Sequence, residues 1–94
     1  MIVTLEEIKA HLRIQQDDED AYLASLTAMA QSAAEDFCKA SFVSPAPEAL
    51  RLAMLLFVGH HYEYRDSSDK HAYLAMRMAF EALLWPHRDL SKLF

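Results

Sequence analysis

The chain is almost without glycine. Of its 94 residues one is glycine, three are proline, one is cysteine and none is asparagine. All-β domains need turn residues at nearly every reversal, so this shortage argues for helices joined by few loops. It also removes the backbone cradles that hold phosphates: there is no glycine-rich phosphate loop and no G-x-S-x-G nucleophile turn. With Cys38 alone, an internal disulfide and a cysteine-based zinc site are both excluded, and Cys38 reads as a small, reduced core residue. Positive charge is scarce too. Nine Lys and Arg face fourteen Asp and Glu, leaving −5 with neutral histidines, a poor balance for gripping phosphates. No window of about 18 apolar residues exists, so no membrane-spanning segment is expected. MIVTLEEIKAHLRI lacks the basic head and continuous apolar run of a secretion signal.

Apolar side chains are what the chain has in excess, at 53% of residues. A domain of this size buries only about 60–65% of its unfolded surface. The excess therefore predicts apolar surface covered by other subunits. We expect one helical domain over residues 1–94, with 86–94 as a short C-terminal tail.

The fold expected is all-α: a small bundle of four helices, with a short N-terminal helix, two long central helices and a C-terminal helix. Thr4 followed by Glu7 fits a capping box, which starts a short helix over LEEIKAHL. The acidic run QQDDED is most simply the start of a second helix, where negative side chains offset the partial positive charge of the helix N-terminus. That helix should run from about Asp18 to Ala40, with Leu23, Leu26, Ala30, Ala33, Phe37 and Ala40 as its stripe. Pro45 and Pro47 break the pattern, and Pro47 suits the first position of the next helix.

The third helix is expected from about Pro47 to Asp66. Leu50, Met54, Phe57, His61 and Tyr64 form its stripe, widened by Leu52, Leu55, Leu56 and Gly59. Residues 52–58 are apolar nearly all round, which marks the central helix. Gly59 costs about 1 kcal/mol relative to alanine in a helix interior, so close passage of another backbone is expected there. Ser67, Ser68 and Asp69 offer a turn and an N-cap. A fourth helix should run from about Lys70 to Trp85, presenting Tyr73, Leu74, Met78, Leu83 and Leu84, with Phe80 toward a flank, and Pro86 should end it.

The stretch LLFVGHHYEYRD turns within one helical turn from greasy to polar and aromatic. Adjacent histidines on a helix point about 100° apart, so His60 and His61 cannot both face one ion. Di-iron bundles use Glu-x-x-His pairs, and this chain has none, nor HExxH. We expect no catalytic residue, no metal site and no cofactor. A helix-turn-helix would need Arg, Lys, Asn or Gln at the start of its recognition helix. Here the third helix starts with PEALRLAM, acidic and greasy, and the fourth with KHAYLAMR, only weakly basic. A small helical DNA-binding regulator and a metal-binding helical bundle stand as alternatives to an interaction module. For the module, Tyr62, Tyr64, Arg65, Arg77, Trp85 and Arg88 are residue types favoured at interfaces. His61 with Arg65, and Glu63 near Arg65 and Asp66, form a candidate polar network at the helix end.

Several features in order resemble the small head–tail connector, or adaptor, proteins of long-tailed double-stranded DNA bacteriophages. A greasy helix ends in His-x-Tyr-x-x-Arg, here His60, Tyr62 and Arg65. It is followed by Leu-Leu-x-Pro-x-Arg, here Leu83, Leu84, Pro86 and Arg88. The short capped helix, the acidic DDEDAYLASLTAMAQSAAEDF helix and the P-x-P-x-x-L linker precede them, so the resemblance spans nearly the whole chain. One departure is SSDKHAYLAMRMAF, which reads as helix where relatives are looser and leaves the loop contacts there open.

The resemblance implies structural work: a homo-oligomeric ring of about a dozen copies, with the heterologous contacts a cyclic ring requires. The ring would sit beneath the portal protein, join a stopper or tail-completion protein below, and extend the DNA channel. About a dozen copies at −5 each carry about −60, which disfavours adhesion of passing DNA, whose binding without sequence specificity depends on cationic neutralisation. The interface candidates are His60, His61, Tyr62, Tyr64, Arg65, Trp85 and Arg88, with Leu90, Leu93 and Phe94 in a tail that would dock on the portal. The implied location is the virion head–tail junction, and the host bacterial cytoplasm before assembly.

Overall fold

A computed structural model describes residues 2–43, 45–64 and 69–89. Four α-helices follow one another: α1 (Leu5–Leu12), α2 (Asp20–Cys38), α3 (Glu48–Glu63) and α4 (Lys70–Leu84), closed by a 3₁₀ turn over Trp85–His87. No strand occurs among the described residues, and the fold is the all-α bundle expected.

The capping box at α1 is complete. The Thr4 hydroxyl accepts from the Glu7 N–H at 3.1 Å, and the Glu7 carboxylate accepts from the Thr4 N–H at 3.3 Å. At the other end Arg13 adopts φ 60°, and its N–H and that of Ile14 return to carbonyls of the last turn. Lys39 closes α2 in the same way with φ 57°. Glycine ordinarily takes this left-handed position, and here two long cationic residues do.

The acidic run does more than start a helix. Asp20 lies in the first turn of α2, but Lys9 reaches across from α1 to Asp17 at 2.6 Å and Asp20 at 2.8 Å. Those bridges raise the Lys9 pKa and lower that of Asp17, chiefly through the hydrogen bond between them. A second polar hub lies on α2. The Gln31 side chain accepts the Ile2 N–H at 3.1 Å, and Glu35 accepts the Phe42 N–H at 2.9 Å, tying both flanking segments to the helix.

The α2 stripe drifts from the spacing expected. Leu23, Leu26, Thr27, Ala30, Ala34 and Cys38 are buried, while Ala33, Phe37 and Ala40 pack only at the edge of the core. A 3-4 repeat follows a supercoil, whereas a straight helix slips about 20° per heptad against it, so by the last turns the inward positions have moved on by one residue. Among the described residues Thr27 is the one buried polar side chain in the core, and its hydroxyl donates to the Leu23 carbonyl at 2.8 Å.

α3 is the central helix, packed against all three others. Leu50, Ala53, Met54, Phe57 and Val58 are buried on it. Arg51 joins it to α1 through an ion pair with Glu7 and also meets Glu48 at 2.9 Å. At Gly59 the expectation of a close backbone fails. A Cβ there would meet only the Leu12 side chain, at an ordinary 3.6 Å, so the glycine is not demanded by crowding.

The face of α4 is also corrected. Met76, Phe80 and Leu84 point inward, with Phe80 fully buried against Phe57 at 5.5 Å between ring centroids. Tyr73, Leu74 and Met78 are instead exposed, Met78 by 73%. Asp69 caps the helix as expected, accepting from the Ala72 N–H at 3.0 Å.

Candidate functional site

The polar, aromatic end of α3 divides into two sides. On one side Tyr62 points back toward α2. Its hydroxyl donates to Glu19 at 2.6 Å, and its ring lies 6.5 Å from that of Tyr22. Glu19 is the residue that opens α2, so this bond locks the end of the central helix to the start of its neighbour across 43 residues of sequence.

On the other side His60, His61 and Tyr64 face the beginning of α4. With Asp69, Lys70, Tyr73 and Leu74 they line an open groove of about 470 Å³. The rings are in mutual contact: His61 lies 4.4 Å from Phe57, His60 4.9 Å from Tyr64, and Tyr73 5.9 Å from His60. The two imidazoles stand nearly perpendicular, 5.2 Å apart, consistent with their divergence on a helix. His61 Nε2 is buried and meets no hydrogen-bond partner among the described residues. Burial therefore holds its pKa below the ordinary histidine value, and His60 adds to the effect.

Trp85 and Arg88 occupy a separate place, about 18 Å along α4 from Tyr73 by helix rise. The Arg88 guanidinium lies over Phe37 at 4.5 Å and over Trp85 at 4.9 Å, and the two rings are 6.3 Å apart. The Asp89 N–H donates to the Cys38 carbonyl at 2.7 Å, and the buried Cys38 thiol approaches the Leu84 carbonyl at 3.6 Å. This corner ties the end of α4 to the end of α2. Arg65, Leu90, Leu93 and Phe94, also singled out from the sequence, lie outside the described residues, as does Asp66 of the expected polar network.

Sequence reasoning missed the partners of these side chains. Glu19, Phe37 and Tyr73 complete the three clusters, and none carries a local signal for it. The distribution of apolar surface was missed as well: Met29, Val43, Leu52, Tyr73, Leu74, Met78 and Trp85 are all exposed. No helix among the described residues is long and apolar enough to cross a membrane.

What these features define is a structural module: a helical body whose aromatic and cationic side chains clamp its own helices together while large apolar groups stay outside. The chain belongs to the phage gp6-like head-tail connector protein family, whose model matches residues 2–87. That match takes in all four helices and the 3₁₀ turn. It makes the chain a structural component of the phage head–tail connection. Searches of curated proteins and of solved structures found no match.

Proposed function

We propose that the chain is the repeating subunit of a ring beneath the phage portal, and that it extends the channel through which DNA leaves the head. The ring has about a dozen copies joined head to tail. It meets the portal protein on one side and a stopper or tail-completion protein on the other. It assembles during head completion, acts at the virion head–tail junction and catalyses no reaction. The whole chain serves as one domain.

The observation that carries this reading is the family match across residues 2–87. Two physical features support it. Seven large apolar side chains are exposed among the described residues, which favours a molecule made to be packed among others. The net charge of −5 per copy suits a channel wall that must not hold DNA. Within each subunit, His61, Tyr62 and Arg88 brace the fold. His60 and Tyr64, half-buried along the groove, and the exposed Trp85 are left for neighbours. Leu90, Leu93 and Phe94 supply apolar contacts to the portal.

The test uses DNA-filled, portal-bearing heads made without this protein. Purified chain added to them should appear under the portal as a ring in electron micrographs and restore tail joining. Heads that stay bare, with tails still unable to join, would refute the reading. Removing Leu90–Phe94 should leave the fold intact and weaken attachment to such heads. Undiminished attachment would withdraw the tail from the portal contact.

A further inference from the structure

The two helices that flank the centre each leave an outward stretch without charge, ended on α2 by the exposed Asp36. α3 packs closely on both α2 and α4, while α2 and α4 touch only marginally, in a body 31 Å wide and 17 Å thick. α2 and α4 are thus the flanks, and the side of each turned away from α3 is open.

On α4 that side carries Leu74, Ala75, Met78, Ala82 and, continuing the same line into the 3₁₀ turn, Trp85. Leu74, Met78 and Trp85 are exposed by 57%, 73% and 58%. The helix's Arg77 and Glu81 lie to one flank and pair with each other at 3.0 Å. On α2 the side opposite the buried stripe carries Ala21, Ser25, Ala28, Met29 and Ser32, all exposed. Residues 21–34 include no Asp, Glu, Lys or Arg, in a chain where 24% of residues are charged. A helix face meant for water is normally charged and polar.

The two faces match. Each extends about 16 Å along its helix by helix rise. One has three large apolar projections, and the other is small-residued with a single projection, Met29. Both run in rows spaced three and four residues apart, the pattern by which ridges of one helix enter grooves of another. Neither face suits a copy of itself as well. Three large projections meet three large projections in one self-pairing, and an almost featureless surface meets its like in the other.

We propose that α4 of one copy packs against α2 of the next, with Leu74, Met78 and Trp85 seated among Ser25, Ala28 and Ser32 and with Met29 over Ala75 and Ala82. The contact is heterologous, and repeated head to tail it closes the ring; it rests on the ring reading above. Its occupant is a second copy of this chain. The absence of charge on both sides, where a partner of different origin would leave one face unmatched, selects that occupant.

Two variants with one added cysteine each test it, Met78→Cys and Ala28→Cys, bound to portal-bearing heads and then oxidised. Native Cys38 is fully buried and serves as an internal blank. Neither variant alone should form a disulfide-linked dimer, an equal mixture should, and the double variant should give a ladder of linked subunits. Rings visible under the portal with no dimer from the mixture would overturn the α4–α2 contact while leaving the ring standing. So would self-linking of either single variant. Heads that bind no chain would remove the ring reading and this inference together. As a second measurement, Met78→Glu should keep the helical circular dichroism and melting temperature of the parent yet lose at least tenfold in ring occupancy. Full occupancy by that variant would also overturn the contact.

Discussion

Phe80 and Met78 sit two residues apart on α4 and should differ greatly in what they hold together. Phe80 is fully buried, its ring tilted against that of Phe57 at 5.5 Å, with the Arg77 guanidinium 5.0 Å from its ring centre. Phe80→Ala removes the ring from the centre of the α3–α4 contact and leaves a void there. Such truncations cost about 3–5 kcal/mol. A domain of 94 residues has a total stability of roughly 5–14 kcal/mol, at about 0.05–0.15 kcal/mol per residue, so the variant should lose a large part of it. Met78 is 73% exposed, and Met78→Ala in the isolated subunit should change stability by no more than about 0.5 kcal/mol. The assay is urea unfolding followed by far-ultraviolet circular dichroism, at a concentration low enough to keep subunits apart. With a slope of about 1.5 kcal/mol per molar urea, the Phe80→Ala midpoint should fall by about 2–3 M and that of Met78→Ala should barely move. Equal losses, or a larger one for Met78→Ala, would mean that α4 is rotated about its axis relative to the structure. The packing argument and the exposed face would then both fall.

Three further outcomes follow from the same structure. Tyr62→Phe removes the hydroxyl that donates to Glu19 at 2.6 Å. The bond is to a charged acceptor and partly buried, so the substitution should cost about 1–2 kcal/mol, read from the same unfolding curves; no loss would show that the bond does not lock the helix end. His61 is held below its ordinary pKa of 6.5 by burial, with His60 adding to the effect. The unfolded chain therefore takes up this proton first, so stability is full above about pH 7 and falls as pH drops through the ordinary value toward the lower folded one. His61→Phe should flatten the part of the urea-midpoint profile between about pH 7 and pH 5, and an unchanged slope there would exonerate His61. The Cys38 thiol is fully enclosed, and burial pushes its pKa up. It should resist a maleimide in the native protein and react within minutes in denaturant, whereas fast native labelling would show that the α2–α4 corner opens.

The number of helices, their order and most of their boundaries were legible because they depend on local signals. Thr4 with Glu7, Asp69, and the proline pair at 45 and 47 act within a few residues of themselves. The central place of α3 was legible because an all-round apolar stretch has nowhere else to go. The face of α4 was not. Its apolar residues nearly encircle it, from Tyr73 and Leu74 through Met76 and Met78 to Phe80 and Leu83. Periodicity cannot choose a side when both sides qualify, and only packing against Phe57 decides for Phe80. The candidate residues at the end of α3 were found from their types, but what they touch was not. Tyr62 with Glu19 is a contact across 43 residues, and Arg88 over Phe37 joins two helices with no sequence pattern in common. Such pairings are set by the tertiary path of the chain.

The left-handed exits at Arg13 and Lys39 bear on how stiff the subunit is. A residue with a side chain pays about 1–2 kcal/mol for that torsion, but its Cβ also narrows the range of angles through which the chain can swing, as glycine would not. Each cation in return lies beside the negative pole of the helix it terminates. The directions in which the backbone departs from α1 and α2 are thereby fixed at the joints themselves. A body with such joints holds one shape, with little slack between its helices.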